Sequence, residues 1–194
     1  LAGNVATPPF EVLRAGQRRT LPLPAVVKPV RQGSSYGVHW VSAESAWDAA
    51  LADALGFNGE ALVEPFIEGR ELTVGLVGEA VLPVVEIRAP DSNYDYQAKY
   101  TKGLTEYLTP APLSAELTAR CQDLALRTYR ALGARGLGRV DLRLAADGSA
   151  WVLELNTIPG FTETSLLPKA AAATGCGFAQ LCERIMELAT CAAG

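Results

Sequence analysis

Residues 138–160, GRVDLRLAADGSAWVLELNTIPG, are the stretch whose reading decides the fold. Two runs with period-2 alternation, 139–144 and 150–156, flank Asp147-Gly148. Asp-Gly between alternating apolar runs is a strong hairpin signal, because Gly takes positive φ at no steric cost. A two-residue turn at that dipeptide sets the pairing by counting outward: Ala146 with Ser149, Arg143 with Val152, Asp141 with Glu154, and Arg139 with Asn156. In that register Val140, Leu142, Leu144, Trp151, Leu153 and Leu155 share one face, which a sheet buries. Arg139, Asp141, Glu154 and Asn156 share the other.

Directly opposed residues have Cβ atoms roughly 4.5–5.5 Å apart, and like charges placed there are destabilising. Asp141 opposite Glu154 is therefore a defect unless a cation compensates it. Two carboxylates and an Asn carbonyl are hard oxygen ligands, suited to Mg²⁺ (or Mn²⁺) with water and phosphate completing the shell. An exposed strand face whose carboxylates splay into water is the plainer alternative. Arg139 would either neutralise the pair without a metal or stabilise an oxyanion beside it.

Bulk properties narrow the class. The 194 residues, 49% of them hydrophobic and 20% charged, suffice for one good-sized domain or two small lobes. A net charge of −4 gives no electrostatic support for nucleic-acid binding. Cys121, Cys176, Cys182 and Cys191 show no CxxC or zinc spacing, and the chain has 1 His, so idle thiols of a reducing cytosol are expected. There is no run of about 18 apolar residues and no basic-then-apolar leader, so a cytoplasmic protein with no membrane partner is expected. The opening LAGNVATPPF lacks an initiator Met and reads as part of a longer protein.

Outward from the hairpin, 25–28 reads as an apolar strand stopped by Pro29, and 38–41 as a second strand. Ser42 is expected to cap a helix over 43–55 that Gly56 ends. A strand at 60–67 leads to a bend at Glu68-Gly69, then a hairpin of 72–77 with 80–87. Residues 89–110 lack periodicity and are rich in aromatics, as a functional lid would be. Ser114 caps a long helix to 132, ended by Gly133, and two short helices, 166–174 and 178–190, close the chain. Helix-flanked antiparallel strands without regular βαβ alternation argue an α+β fold.

Other chemistry clusters around this framework. In RQGSSYG (31–37), Gly33 and Gly37 permit close backbone approach, while Ser34, Ser35 and backbone N–H groups suit phosphate oxygens. It is not a P-loop, and a flexible hairpin loop would look the same. Lys28 ends an apolar strand just before it, where a cation is costly unless paired, so a bound phosphate is a natural partner. Glu64 and Glu71 bracket Pro65-Phe66-Ile67; the carboxylates suit ribose hydroxyls and the strand amides an adenine edge, or they are ordinary surface glutamates. Lys99-Tyr100, with Tyr94 and Tyr96, would close over a charged substrate and exclude water. Ser165 begins a helix, where it would take a substrate carboxylate or simply cap. His39 is assigned no role. ATP-dependent ligation is the simplest chemistry that uses all of these features.

The strings VVKPVRQGSSYGV, EPFIEGRELTV, YDYQAKYTKG, LGRVDLRL and VLELNTIPGFTETSLLP, in that order over 25–168, resemble the ATP-grasp enzymes and specifically the D-alanine–D-alanine ligase family. The resemblance implies an ATP-grasp fold: two α+β lobes of mainly antiparallel sheet, 1–71 as part of the central lobe and 72–194 as the C-terminal lobe, with ATP gripped between them. It implies Lys28 and Lys99 on ATP phosphates, Glu64 and Glu71 at the ribose or adenine end, and Phe66 and Ile67 at the adenine pocket. Asp141, Glu154 and Asn156 would hold two Mg²⁺ ions, Ser34 and Tyr100 would fix loops closed over the substrates, and Arg139 with the Gly160 N–H would form the oxyanion site. Ser165 would hold the second substrate's carboxylate. The implied reaction joins two D-alanines through an acylphosphate to make the peptidoglycan dipeptide, with a homodimer left open for the full-length enzyme. Lys99-Tyr100 resembles the dipeptide-forming members. Gln32 stands where an acidic residue is usual and Asn93 where an aromatic is common. Family members also carry an N-terminal domain and a further phosphate-contacting lysine outside these strings, so the chain alone is expected to be a weak catalyst. A ligase of another amino or hydroxy acid and a non-catalytic ATP-binding domain remain alternatives.

Overall fold

Period-2 alternation builds two antiparallel sheets here, and helices cover an apolar face of each. The computed structural model describes residues 5–88 and 105–189. The chain divides into two units: one is formed by Pro8–Ile67, and the other by Glu68–Arg88 and Glu106 onward, together with residues 5–7. The boundary thus falls before Glu68 rather than after residue 71. Residues near the start leave the first unit because Val152 N donates to Ala6 O at 2.8 Å and Thr7 Oγ1 to Val152 O at 3.0 Å.

The first unit holds β1 (Glu11–Leu13), β2 (Ala25–Pro29), β3 (His39–Val41) and β4 (Ala61–Pro65), in the order β1-β4-β2-β3. Alternation in β2 sends Ala25 and Val27 inward against α1 (Trp47–Asn58) and leaves Val26 and Lys28 on the other face. The helix differs from expectation at both ends. A 3₁₀ turn at Glu44–Ala46 precedes it, no side chain caps it, and it passes through Gly56 to a left-handed Gly59 whose N–H donates to Leu55 O at 2.8 Å. One interior Gly costs only about 1 kcal/mol, and continuing brings Phe57 edge-on to Tyr36, centroids 5.7 Å apart. His39 pairs with Asp53 of this helix at 2.7 Å.

The second unit orders its main strands β10-β9-β5-β7-β8: β5 (Arg70–Val77), β7 (Val85–Arg88), β8 (Glu106–Leu108), β9 (Leu137–Leu144) and β10 (Ala150–Asn156). The short β6 (Ala80–Val81) pairs with β5. Residues 106–108 of the expected lid are therefore strand, while 89–104 lie outside the described residues. Helix α2 (Ala115–Ala131) is capped by Ser114, whose Oγ accepts from Leu117 N at 3.2 Å. It packs Cys121, Leu124 and Tyr129 onto Leu72, Val140 and Leu142. Helices α3 (Leu166–Ala172) and α4 (Phe178–Glu187) follow.

The decisive hairpin reaches its expected pairs by another route. Its turn has three residues, 146–148: Ala145 N donates to Ser149 O, Gly148 sits at φ +81°, and Asp147 Oδ1 accepts from Ser149 N at 2.8 Å. That longer loop shifts the register by one, so Arg143 faces Trp151 rather than Val152. A bulge between Val152 and Glu154 shifts it back, and Asp141 faces Glu154 and Arg139 faces Asn156 as expected. Between loop and bulge the faces are exchanged: Ala150 and Val152 join the core, while Trp151 and Leu153 do not.

At the far side of this sheet Glu86 is 4% exposed, opposite Leu72. Arg70 donates to both its oxygens (Nε 2.8 Å, Nη2 2.7 Å), and Arg88 adds a bond at 3.2 Å. Burial pushes the carboxyl pKa up, but the hydrogen bonds and charges of Arg70 and Arg88 outweigh it, and the pKa is lowered. Glu86→Gln should cost about 2–3 kcal/mol at pH 7, because a neutral amide replaces the buried carboxylate and turns an NH2 group toward the partly exposed Arg70 and Arg88 guanidiniums that donate to it. A carboxyl with a depressed folded pKa stabilises above its unfolded pKa and stops doing so as pH falls through the folded one. The gap between wild type and variant in urea midpoint should thus narrow below about pH 4.3, the ordinary Glu value. A gap that does not change with pH would show that the charge is not what Glu86 contributes.

Candidate active site

Three adjacent strands place nine residues in a grid on the face opposite the core of the second unit. Gly75, Arg139 and Asn156 form one row, Thr73, Asp141 and Glu154 the next, and Glu71, Arg143 and Trp151 the third. Asp141 lies at the centre. Its Oδ1 accepts from Thr73 Oγ1 at 2.6 Å and Arg139 Nε at 2.8 Å; its Oδ2 accepts from Arg139 Nη2 at 2.7 Å and Asn156 Nδ2 at 3.1 Å. The same Asn156 amino group donates to Glu154 Oε1 at 3.0 Å.

An amino group that reaches both carboxylates at once marks them as close enough to share one cation. Among the described residues no cluster of three or more His, Cys, Asp or Glu forms a closed metal cage. Two carboxylates and an amide form an open donor set instead, which suits Mg²⁺, an ion that keeps water and substrate phosphates in its shell. Arg139 forks onto Asp141 here with a two-pronged bond. Glu71, expected with Glu64 at the ribose or adenine end, belongs to this grid, 3.6 Å from Arg143.

The first unit carries the second group. Lys28 and Glu64 lie on one face of β2 and β4, with Lys28 Nζ 2.7 Å from Glu64 Oε1 and Glu64 only 6% exposed. The costly cation at the strand end is thus compensated by a neighbouring carboxylate, and no phosphate is needed to explain it. Phe66 N donates to Pro24 O at 3.0 Å, and its ring lies 5.5 Å from that of Trp40. Trp40 is half exposed and opposite Val26, which faces Glu64 on its other side, so both aromatics border the Lys28–Glu64 face. Ile67, half buried, ends this unit.

Loop 31–37 holds Ser34 and Ser35 both at φ +57°, a conformation that non-glycine residues adopt at a cost and that recurs in ligand-binding loops. Gly37 serves packing instead of ligand approach, since a Cβ there would sit 2.7 Å from the Phe57 ring. Ser165 does not cap α3. Its Oγ accepts from Thr162 N at 3.0 Å and lies 2.9 Å from Thr162 Oγ1, closing the turn that follows Gly160. Lys99 and Tyr100 lie outside the described residues. Sequence reasoning passed over Thr73, Arg143 and Trp40. The alternation of ELTVGL places Thr73 on the face of Glu71, but only strand pairing across 68 positions puts it beside Asp141.

A family model described as D-ala D-ala ligase C-terminus matches residues 9–187. The chain belongs to this family. A relative, D-alanine–D-alanine ligase of Methylacidiphilum infernorum, is 46% identical over 188 residues, covering 97% of this chain and 62% of its own length. The chain spans less than two thirds of the length of the curated relatives it matches. Among solved structures, the VanG D-Ala:D-Ser ligase from Enterococcus faecalis superposes with TM-score 0.86 at 31% identity, over 96% of this chain and 57% of that one. The D-alanine–D-alanine ligase from Bacillus anthracis complexed with ATP gives 0.79 at 32% identity, over 95% and 61%. The fold is ATP-grasp, α+β with antiparallel sheets. No helix among the described residues of this family member is long and apolar enough to cross a membrane.

Proposed function

We propose that this chain carries the nucleotide- and metal-handling part of a cytoplasmic, ATP-dependent ligase that joins two D-alanines into D-alanyl-D-alanine for peptidoglycan. The observation that carries the reading is Asp141 directly opposite Glu154, with Asn156 bridging them. Curated relatives named D-alanine–D-alanine ligase and a neighbour solved with ATP support it.

In this reading the γ-phosphoryl group passes to the carboxylate of one D-alanine, giving ADP and an acylphosphate. The amine of the second attacks the acyl carbon and phosphate leaves. Two Mg²⁺ ions, held by Asp141, Glu154 and Asn156, supply neutralisation of the phosphoryl charge when bound. Lys28 and Lys99 orient phosphate oxygens, and Glu64 holds Lys28 in place from a buried position. Glu71 takes the ribose hydroxyls, and Phe66 and Ile67 border the adenine. Arg139 and the Gly160 N–H accept the negative charge that develops on the acyl oxygen, which is worth most where water is excluded. Ser34 and Tyr100 secure the closing loops, and Ser165 takes the second substrate's carboxylate.

A second reading has D-serine as the acceptor, favoured by the 0.86 superposition on a D-Ala:D-Ser ligase. The 46% identity to a D-alanine–D-alanine ligase outweighs it. One experiment decides between them: ATP, Mg²⁺ and D-alanine, alone or with D-serine or D-lactate, followed by mass spectrometry of the products and phosphate release. D-alanyl-D-alanine as the dominant product is expected. A mixed product formed in preference would move the assignment to the second reading, and ATP binding with no trace of either product, even with the protein stoichiometric with substrate, would overturn both.

A further inference from the structure

Asp141 has its four bonds divided between its two oxygens, and the donors differ in how easily they can leave. A carboxylate offers about four lone-pair sites, and Thr73, Arg139 twice and Asn156 fill them. Arg139 and Asn156 face each other at one end of the paired strands, as long or rotatable side chains. Thr73 is different: it is 1% exposed, its strand lies between β9 and β7, and its β-branched side chain is stiff at χ1. Its Oγ1 lies 2.6 Å from Asp141 Oδ1 and 3.3 Å from Val140 O, so its single proton goes to the carboxylate.

Oδ1 is therefore anchored by a donor that cannot swing away. Oδ2 faces Glu154 through the shared Asn156 amino group. An amide that donates to two carboxylates must turn its carbonyl toward them to join them on a cation. We propose that Thr73 is a positioning residue, whose buried hydroxyl fixes the Asp141 carboxylate so that Oδ2, with Glu154, is presented to the divalent cation. This rests on the metal role of Asp141 and Glu154 in the ligase reading. Groups that orient ligating carboxylates typically change metal affinity by 10–100-fold when removed.

The test is Mn²⁺ binding in the presence of ADP, measured from the free-ion electron paramagnetic resonance signal for the whole chain. Thr73→Val keeps the branched shape and removes the donor; it should weaken Mn²⁺ binding about tenfold or more. Thr73→Ser restores the hydroxyl and should stay within about threefold of wild type. Wild-type binding by Thr73→Val, or equal losses in Val and Ser, would overturn the assignment, since only packing would then matter. Should the Val variant not fold, Thr73→Ala removes the same hydroxyl and must show the same loss. Glu154→Gln separates the two ideas. A wild type that binds no more Mn²⁺ than Glu154→Gln overturns the metal site itself, whereas tight wild-type binding with an unaffected Thr73→Val overturns only the role of Thr73.

Discussion

Glu154→Gln is expected to lower Mg²⁺-dependent ATP turnover by at least about 100-fold, the scale of losing a group that stabilises transferring charge. It should leave the fold intact. Glu154 is exposed, and Asp141, a like charge, lies directly across the strand pair. Replacing it by an amide removes that repulsion, so the metal-free chain should unfold no more readily than wild type, and by up to about 0.5 kcal/mol less readily. What disappears is one of two anionic oxygen ligands, and a neutral amide is a poor substitute for a hard dication. Titrating turnover against Mg²⁺ checks this. An unchanged Mg²⁺ dependence would mean that the facing carboxylates are only a splayed surface pair.

Gly69→Ala should be the most damaging small substitution to the fold, costing about 3–5 kcal/mol as strain plus overpacking. Gly69 sits at φ +148°, and a Cβ there would lie 2.1 Å from Leu144 O, 2.8 Å from Leu144 C and 2.9 Å from Ala145 Cα. All three are backbone atoms at the hairpin's end, so nothing can rotate aside. The residue also offers its carbonyl to Arg143 Nη1 at 3.0 Å, so displacing it disturbs a grid residue. Gly59→Ala is the control. Its φ is +74°, but no atom lies within 4 Å of the added Cβ, so it should cost only about 1 kcal/mol. Urea unfolding of both variants compares the two, and equal midpoints would show that the contact with Leu144 is not limiting.

Much of the site was legible before any coordinates. Alternation in RVDLRL and WVLELN is a local property, because successive side chains must point to opposite faces. Asp141, Glu154, Asn156 and Arg139 were bound to share a face once those runs were paired. Yet the pairing came out right through two compensating departures, a three-residue loop and a bulge, and Trp151 shows the cost of missing them. Periodicity does not record a bulge, which adds one residue without changing the composition of either strand.

The rest depended on partners distant in sequence. The sequence shows Lys28 as a cation at the end of an apolar strand, but only the pairing of β2 with β4 puts Glu64 beside it. Glu64 and Glu71 looked like one pair because they are near in sequence, but they fall on different units. The sequence by itself determined most of the strands, though not β8, and with them the long helix with its Ser114 cap, the facing carboxylates and the family motifs, all of which rest on backbone geometry within a few residues. Only the tertiary structure decided that Thr73 anchors Asp141, that Arg139 forks onto it, and that Trp40 stands beside Phe66. Those contacts arise from sheet neighbours whose order no local pattern encodes.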